Sequence, residues 1–210
     1  MTERFAAIRT TRSARATTAL GVRLGRLLRP GDVVALVGEL GTGKTQLVRG
    51  ACEGAGVAAG EVSSPSFAIV ATYRGHIPVH HADLYRIGDE DELYGTGFGD
   101  LVGGEGALLV EWADLVPGAL PAERLELRLA HDARAPDVRR IAIDGTGARA
   151  AALARALAAP TRQRASPAVP AAGRPARTSR PSSRASSSPR SRPSRPARGA
   201  RSGSRKPRRR

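Results

Sequence analysis

Val33-Val34-Ala35-Leu36-Val37 runs without a break into Gly38-Glu39-Leu40-Gly41-Thr42-Gly43-Lys44-Thr45. The aliphatic run follows the turn Pro30-Gly31-Asp32 and predicts a buried parallel strand, while Lys44-Thr45-Gln46-Leu47-Val48-Arg49 predicts the first turns of a helix. Between them, Gly38 to Thr45 completes the G-x-x-x-x-G-K-[ST] phosphate-binding pattern. Gly38, Gly41 and Gly43 allow positive φ, so backbone N–H groups can turn inward, and the positive end of the following helix attracts an anion. Lys44 then reaches the β and γ phosphates of a nucleotide, and Thr45 offers its hydroxyl to Mg²⁺. Glu39, Leu40 and Thr42 complete the loop that wraps the phosphates.

Outward from this stretch, charge divides the chain near Pro160. All 19 acidic residues precede that point, and residues 1–160 carry a net charge of −1 while residues 161–210 carry +16. The sequence pI of about 11.5 therefore belongs to the tail. Residues 1–160 suffice for one domain with a single sheet covered by helices. The stretch 161–210, made of Arg, Ser, Pro, Ala and Gly, has too little apolar surface to offset its chain entropy and is expected to be disordered. One cysteine, Cys52, excludes an intramolecular disulfide and fits a reducing compartment; its place on the helix after the loop predicts a small core residue. No apolar run is long enough for a bilayer and the N-terminus has no signal-peptide apolar segment, so a cytoplasmic location is expected.

Further along, Leu20, Leu24, Leu27 and Leu28 recur at helical spacing within 17–28, behind a polar lead-in. Residues 66–73 and 77–82 flank Arg74-Gly75 and predict a hairpin, so antiparallel strands are expected to join the sheet. The acidic segment 88–93 predicts a short helix, and Gly95, Gly97 and Gly99 a flexible connection. Residues 107–110 form the second buried strand candidate, 125–129 and 139–143 alternate as half-exposed strands do, and the alanine-rich 148–158 predicts a helix. The fold class is α/β, a nucleotide-hydrolase-like mixed central sheet flanked by helices, with a disordered basic C-terminal tail.

Two strand candidates end in acids. Leu108-Leu109-Val110-Glu111 has the form of a motif whose carboxylate holds Mg²⁺, and His80-His81-Ala82-Asp83 places a second carboxylate where it could orient or deprotonate an attacking water. A helix cap or turn role for Asp83 and a solvated strand end for Glu111 are the plainer alternatives. His80 and His81 point to opposite faces of a strand and lack companion ligands, so a structural or hydrogen-bonding role is favoured over a metal site. Trp112 is either a core plug or a stacking surface beside the site, packing being the simpler reading.

Val62-Ser63-Ser64-Pro65-Ser66-Phe67, His81-Ala82-Asp83-Leu84-Tyr85-Arg86 and Val110-Glu111-Trp112 follow in order behind the glycine loop. Together these motifs, over roughly residues 15–130, resemble TsaE (formerly YjeE), the small bacterial ATPase required for threonylcarbamoyladenosine modification of tRNA. The resemblance implies a P-loop ATPase that works with the TsaD and TsaB proteins on adenosine 37 of tRNAs reading codons that begin with A. Its hydrolysis accompanies turnover of that machinery rather than transfer of the threonylcarbamoyl group. By position, Lys44 and Thr45 bind phosphate and Mg²⁺, Glu111 is a Mg²⁺-site acid, Asp83 is the catalytic candidate and Trp112 lies beside the site. Ser66 stands where the family usually has threonine, which keeps a hydroxyl for a metal or phosphate contact without the methyl that restricts it. Ala113-Asp114 departs from the usual proline and acid, leaving the chain path after Trp112 open.

Nucleotide state is expected to set the order of the 61–67 loop, and with it contact with a partner. A small-molecule kinase on the same loop is the alternative, although 96–106 is glycine-rich and lacks the basic residue of a kinase lid. The tail is expected either to attract tRNA or other nucleic acid non-specifically or only to raise solubility.

Overall fold

Strand β2 (Val33–Val37) is buried along its whole length and forms the middle of a seven-stranded sheet. The computed structural model describes residues 2–58, 60–62 and 69–160. The sheet order is β1-β7-β6-β2-β5-β4-β3. Its parallel centre consists of β6 (Leu125–Asp132), β2, β5 (Ala107–Glu111) and β4 (Pro78–Asp83). Antiparallel pairs extend both edges: β3 (Val70–Arg74) beside β4, and β7 (Ala135–Thr146) beside β6, followed by β1 (Arg4–Thr11). The mixed α/β sheet expected from sequence is thus the observed one.

Period-two alternation divides the core between the two faces of the sheet. Val34 and Leu36 of β2, with Leu109 of β5 and Leu127 of β6, meet α1 (Ala14–Gly25), α2 (Lys44–Gly54) and α4 (Ala148–Ala158). Val33, Ala35 and Val37, with Leu108 and Val110, face the other way. There they are covered by the five-residue helix α3 (Glu90–Tyr94), a 3₁₀ turn Phe98–Leu101, and the segment holding Val116, Ala119 and Leu120.

Several boundaries move from the sequence reading. The polar lead-in forms β1, an edge strand whose backbone pairs with β7 from Arg4↔Thr146 to Thr11↔Arg139 although only half of its side chains are apolar. Ser13 caps α1 by accepting from the Ala16 N–H, so that helix starts and ends three residues early. The hairpin is present, with pairing from Val70↔Ala82 to Arg74↔Pro78. Its first expected residues, 66–68, lie outside the described residues, as do Ser63 to Pro65 of the same motif, most of the 61–67 loop and the tail 161–210. The glycine-rich connection carries the fully buried Phe98, whose burial favours order by about 2 kcal/mol. Among the described residues, no helix is long and apolar enough to cross a membrane.

Candidate functional site

The loop after β2 takes the backbone conformations its glycines permit, with φ of 144° at Gly38, 80° at Gly41 and 102° at Gly43. Gly38 is also forced by space, because a Cβ there would sit 2.2 Å from the Leu129 carbonyl oxygen. Gly43 then starts α2, placing Lys44 and Thr45 in its first turn.

The Lys44 ammonium folds back over this loop and donates to the carbonyls of Gly38 at 2.6 Å and Glu39 at 3.1 Å. It also lies 3.6 Å from the centre of the Trp112 ring. Burial pulls its pKa down, while the carboxylates of Glu111, Asp83 and Asp114 oppose that shift. Thr45 Oγ1 donates to Glu111 Oε2 at 2.9 Å. The other carboxylate oxygen lies 2.9 Å from His81 Nε2, which donates to it when Glu111 is ionised. His81 and Glu111 are buried, and His81 Nδ1 has no hydrogen-bond partner among the described residues.

Strand parity brings these groups together. Val79, His81 and Asp83 project from one face of β4, and Ala107, Leu109 and Glu111 from the corresponding face of β5. Asp83 and Glu111 are register partners at adjacent parallel strand ends. Asp83 Oδ1 accepts from the Tyr85 N–H at 3.3 Å, so a turn role accompanies its place at the site. Directly after Glu111, Trp112 adopts φ 61°, a left-handed conformation costing about 1–2 kcal/mol. The turn is held by Ala113 N–H donating to the Leu36 carbonyl and Leu115 N–H to that of Trp112, which settles the chain path after the tryptophan. It swings the indole over Lys44, where Tyr85 packs on it with ring centres 4.9 Å apart.

The result is a cavity of about 360 Å³ lined by Leu40, Gly41, Gly43, Lys44, Thr45, Gln46, Asp83, Tyr85, Glu111 and Trp112. Glu39 contributes its carbonyl to Lys44, and buried Thr42 donates its hydroxyl to the Glu39 carbonyl at 2.8 Å; neither lines the cavity. Trp112 is half-buried and packs against the ammonium, so packing and site roles coincide. His80 takes no part in the Glu111 contacts and hydrogen-bonds Thr72 Oγ1 instead. Ser66 lies outside the described residues. Among the described residues, no three His, Cys, Asp or Glu side chains gather as a metal cluster. Sequence reasoning missed the His81–Glu111 pair, signalled only by the i, i+2 spacing of His81 and Asp83, and the Tyr85–Trp112 contact, which carries no local signal.

This arrangement occurs in a chain whose residues 11–141 match the family described as "Threonylcarbamoyl adenosine biosynthesis protein TsaE". The chain belongs to the TsaE family. Relatives named "tRNA threonylcarbamoyladenosine biosynthesis protein TsaE" include that of Bacillus subtilis, 41% identical over 112 residues, covering 53% of this chain and 69% of the relative. That of Treponema pallidum is 36% identical, covering 56% and 87% respectively, and that of Streptomyces coelicolor is 41% identical, covering 62% and 90%. The crystal structure of Bacillus subtilis YdiB is similar, with a TM-score of 0.59 and 31% identity over 75% of this chain and 95% of that one. The region of TsaE resemblance, roughly 15–130, falls inside the matched span.

Proposed function

We propose that this chain binds ATP with Mg²⁺ at the Gly38–Thr45 loop and hydrolyses it during threonylcarbamoyladenosine modification of tRNA, at position 37 of tRNAs reading codons that begin with A. It does so in the cytoplasm with the TsaD and TsaB proteins. The observation that carries the reading is the Thr45 hydroxyl 2.9 Å from Glu111 beside the Lys44 ammonium.

Hard oxygen donors fit Mg²⁺, and Thr45 and Glu111 supply them at the mouth of a phosphate loop. When bound, Mg²⁺ supplies positive charge that offsets charge building on the β and γ phosphate oxygens. Lys44 exchanges its two loop carbonyls for those oxygens. Loop N–H groups and the start of α2 hold the phosphates. His81 keeps the Glu111 carboxylate aimed at Thr45. Asp83, beside Glu111 in register, accepts a hydrogen bond from the attacking water and orients it toward the γ-phosphorus.

ATP turnover by the full chain, alone and with TsaD and TsaB, tests this reading against a Lys44→Ala blank. Slow turnover that rises at least tenfold on adding the partners is expected, with Lys44→Ala at background. Turnover indifferent to them would remove the partnership, and phosphate passed to a metabolite instead of water would favour the kinase reading.

A further inference from the structure

The antiparallel side of the sheet reaches the phosphate loop. Leu129 of β6 crowds Gly38, His131 of β6 lies beside Gly41, and His131 pairs in register with Arg139 of β7. Arg139 is half-buried, and its Nε donates to the Thr42 carbonyl at 3.1 Å across 97 positions of chain. Its Nη1 donates to the carbonyls of Pro136 and Val138 within its own hairpin.

The Thr42 carbonyl belongs to the same planar trans peptide as the Gly43 N–H, so the two point in opposite directions. Drawing the carbonyl toward β7 turns the Gly43 N–H away from β7, toward the cavity that Gly43 lines. The remaining Thr42 groups are committed locally, since both its N–H and its hydroxyl donate to the Glu39 carbonyl. Gly43, at φ 102°, has no side chain of its own to restrict its backbone, so this peptide needs an outside restraint.

We infer that Arg139 is a positioning residue for phosphate binding, its Nε–H fixing the Thr42–Gly43 peptide so that the Gly43 N–H faces the bound β-phosphate. The inference rests on the phosphate-site reading of the loop. It separates from a purely structural role because Nε serves the loop and Nη1 serves the hairpin.

Two substitutions in the full chain use that separation. Arg139→Gln places an amide nitrogen where Nε stands, keeping a donor for Thr42 while removing both hairpin bonds. Arg139→Met keeps the apolar stem and removes every donor. Two measurements apply: the Gly43 amide resonance without nucleotide, and ADP affinity by calorimetry. Arg139→Met is expected to shift the Gly43 resonance and weaken ADP about tenfold, the loss of one hydrogen bond; Arg139→Gln, which keeps that donor, holds both near wild type. Equal behaviour of the two variants, in either direction, overturns the inference. Should Arg139→Met fail to fold, Arg139→Gln decides, wild-type values upholding the assignment and a folded variant with lost ADP affinity overturning it. If the wild-type chain itself binds no ADP, the phosphate-site reading fails, and the Gly43 resonance still judges whether Arg139 sets that peptide.

Discussion

His81 and Glu111 show how one buried contact constrains a site. Glu111 has two oxygens and two partners, His81 and Thr45, and very little water reaches it. Replacing His81 with Leu strands a buried carboxylate oxygen, so a loss of about 3 kcal/mol is expected in urea denaturation. Gln, which can still donate, should recover part of it. A fully stable His81→Leu protein would mean that water or movement satisfies Glu111. Cys52 behaves as the core residue its helix position predicted, and burial pushes its thiol up to about 12 from 9.0. Above pH 9 the unfolded chain loses this proton while the folded chain keeps it, so stability falls as pH rises toward 12. The slope from this group approaches about 1.4 kcal/mol per pH unit. Comparing unfolding of wild type and Cys52→Ala between pH 8 and pH 10.5 isolates it; parallel curves would refute the burial account.

Helices α1 and α2 touch backbone to backbone. A Cβ at Gly21 or Gly25 of α1 would lie 2.2 Å from the Leu47 carbonyl oxygen or 1.9 Å from that of Ala51, and one at Gly50 or Gly54 of α2 would meet Thr18 or Val22 at 2.1 Å. Each helix therefore carries a Gly-x-x-x-Gly pair, and the facing carbonyls leave no room for a methyl group. In an isolated helix Gly25→Ala would gain about 1 kcal/mol. Here the clash reverses the sign, and a net loss of about 2 kcal/mol or more is expected in thermal unfolding; a raised melting temperature would contradict this packing. Helical spacing of leucines disclosed α1, but the meaning of its glycines depended on which helix it met. Strand β1 escaped notice for a related reason: Ile8 of this edge strand is exposed, so backbone pairing with β7 rather than an apolar pattern defines it.

Along the chain, the excess positive charge and the candidate site belong to different segments. Arg9 and Arg23 donate to the carbonyls at the end of α4, capping that helix against β1 and α1 just before residue 161. The +16 beyond it is expected to draw RNA through counterion release, so log affinity should fall steeply with log salt for the full chain. Removing residues 161–210 should flatten that slope and leave ATP turnover unchanged; unaltered RNA affinity would end this role for the tail. The strand, glycine loop and first turn of α2 were legible because their physics is local: consecutive residues set the dihedrals, the exposed N–H groups and the place of Lys44 and Thr45. The strand-end acids were legible as candidates for the same reason. Their convergence was not, because β4 and β5 meet only through sheet pairing that sets Asp83 beside Glu111. Sequence by itself determined the strand, glycine loop and helix start, the family and the division of charge. Tertiary structure alone decided that His81 holds Glu111, that Trp112 covers Lys44 and that Arg139 grips Thr42, since each contact depends on strand order and parity that no short stretch of chain encodes.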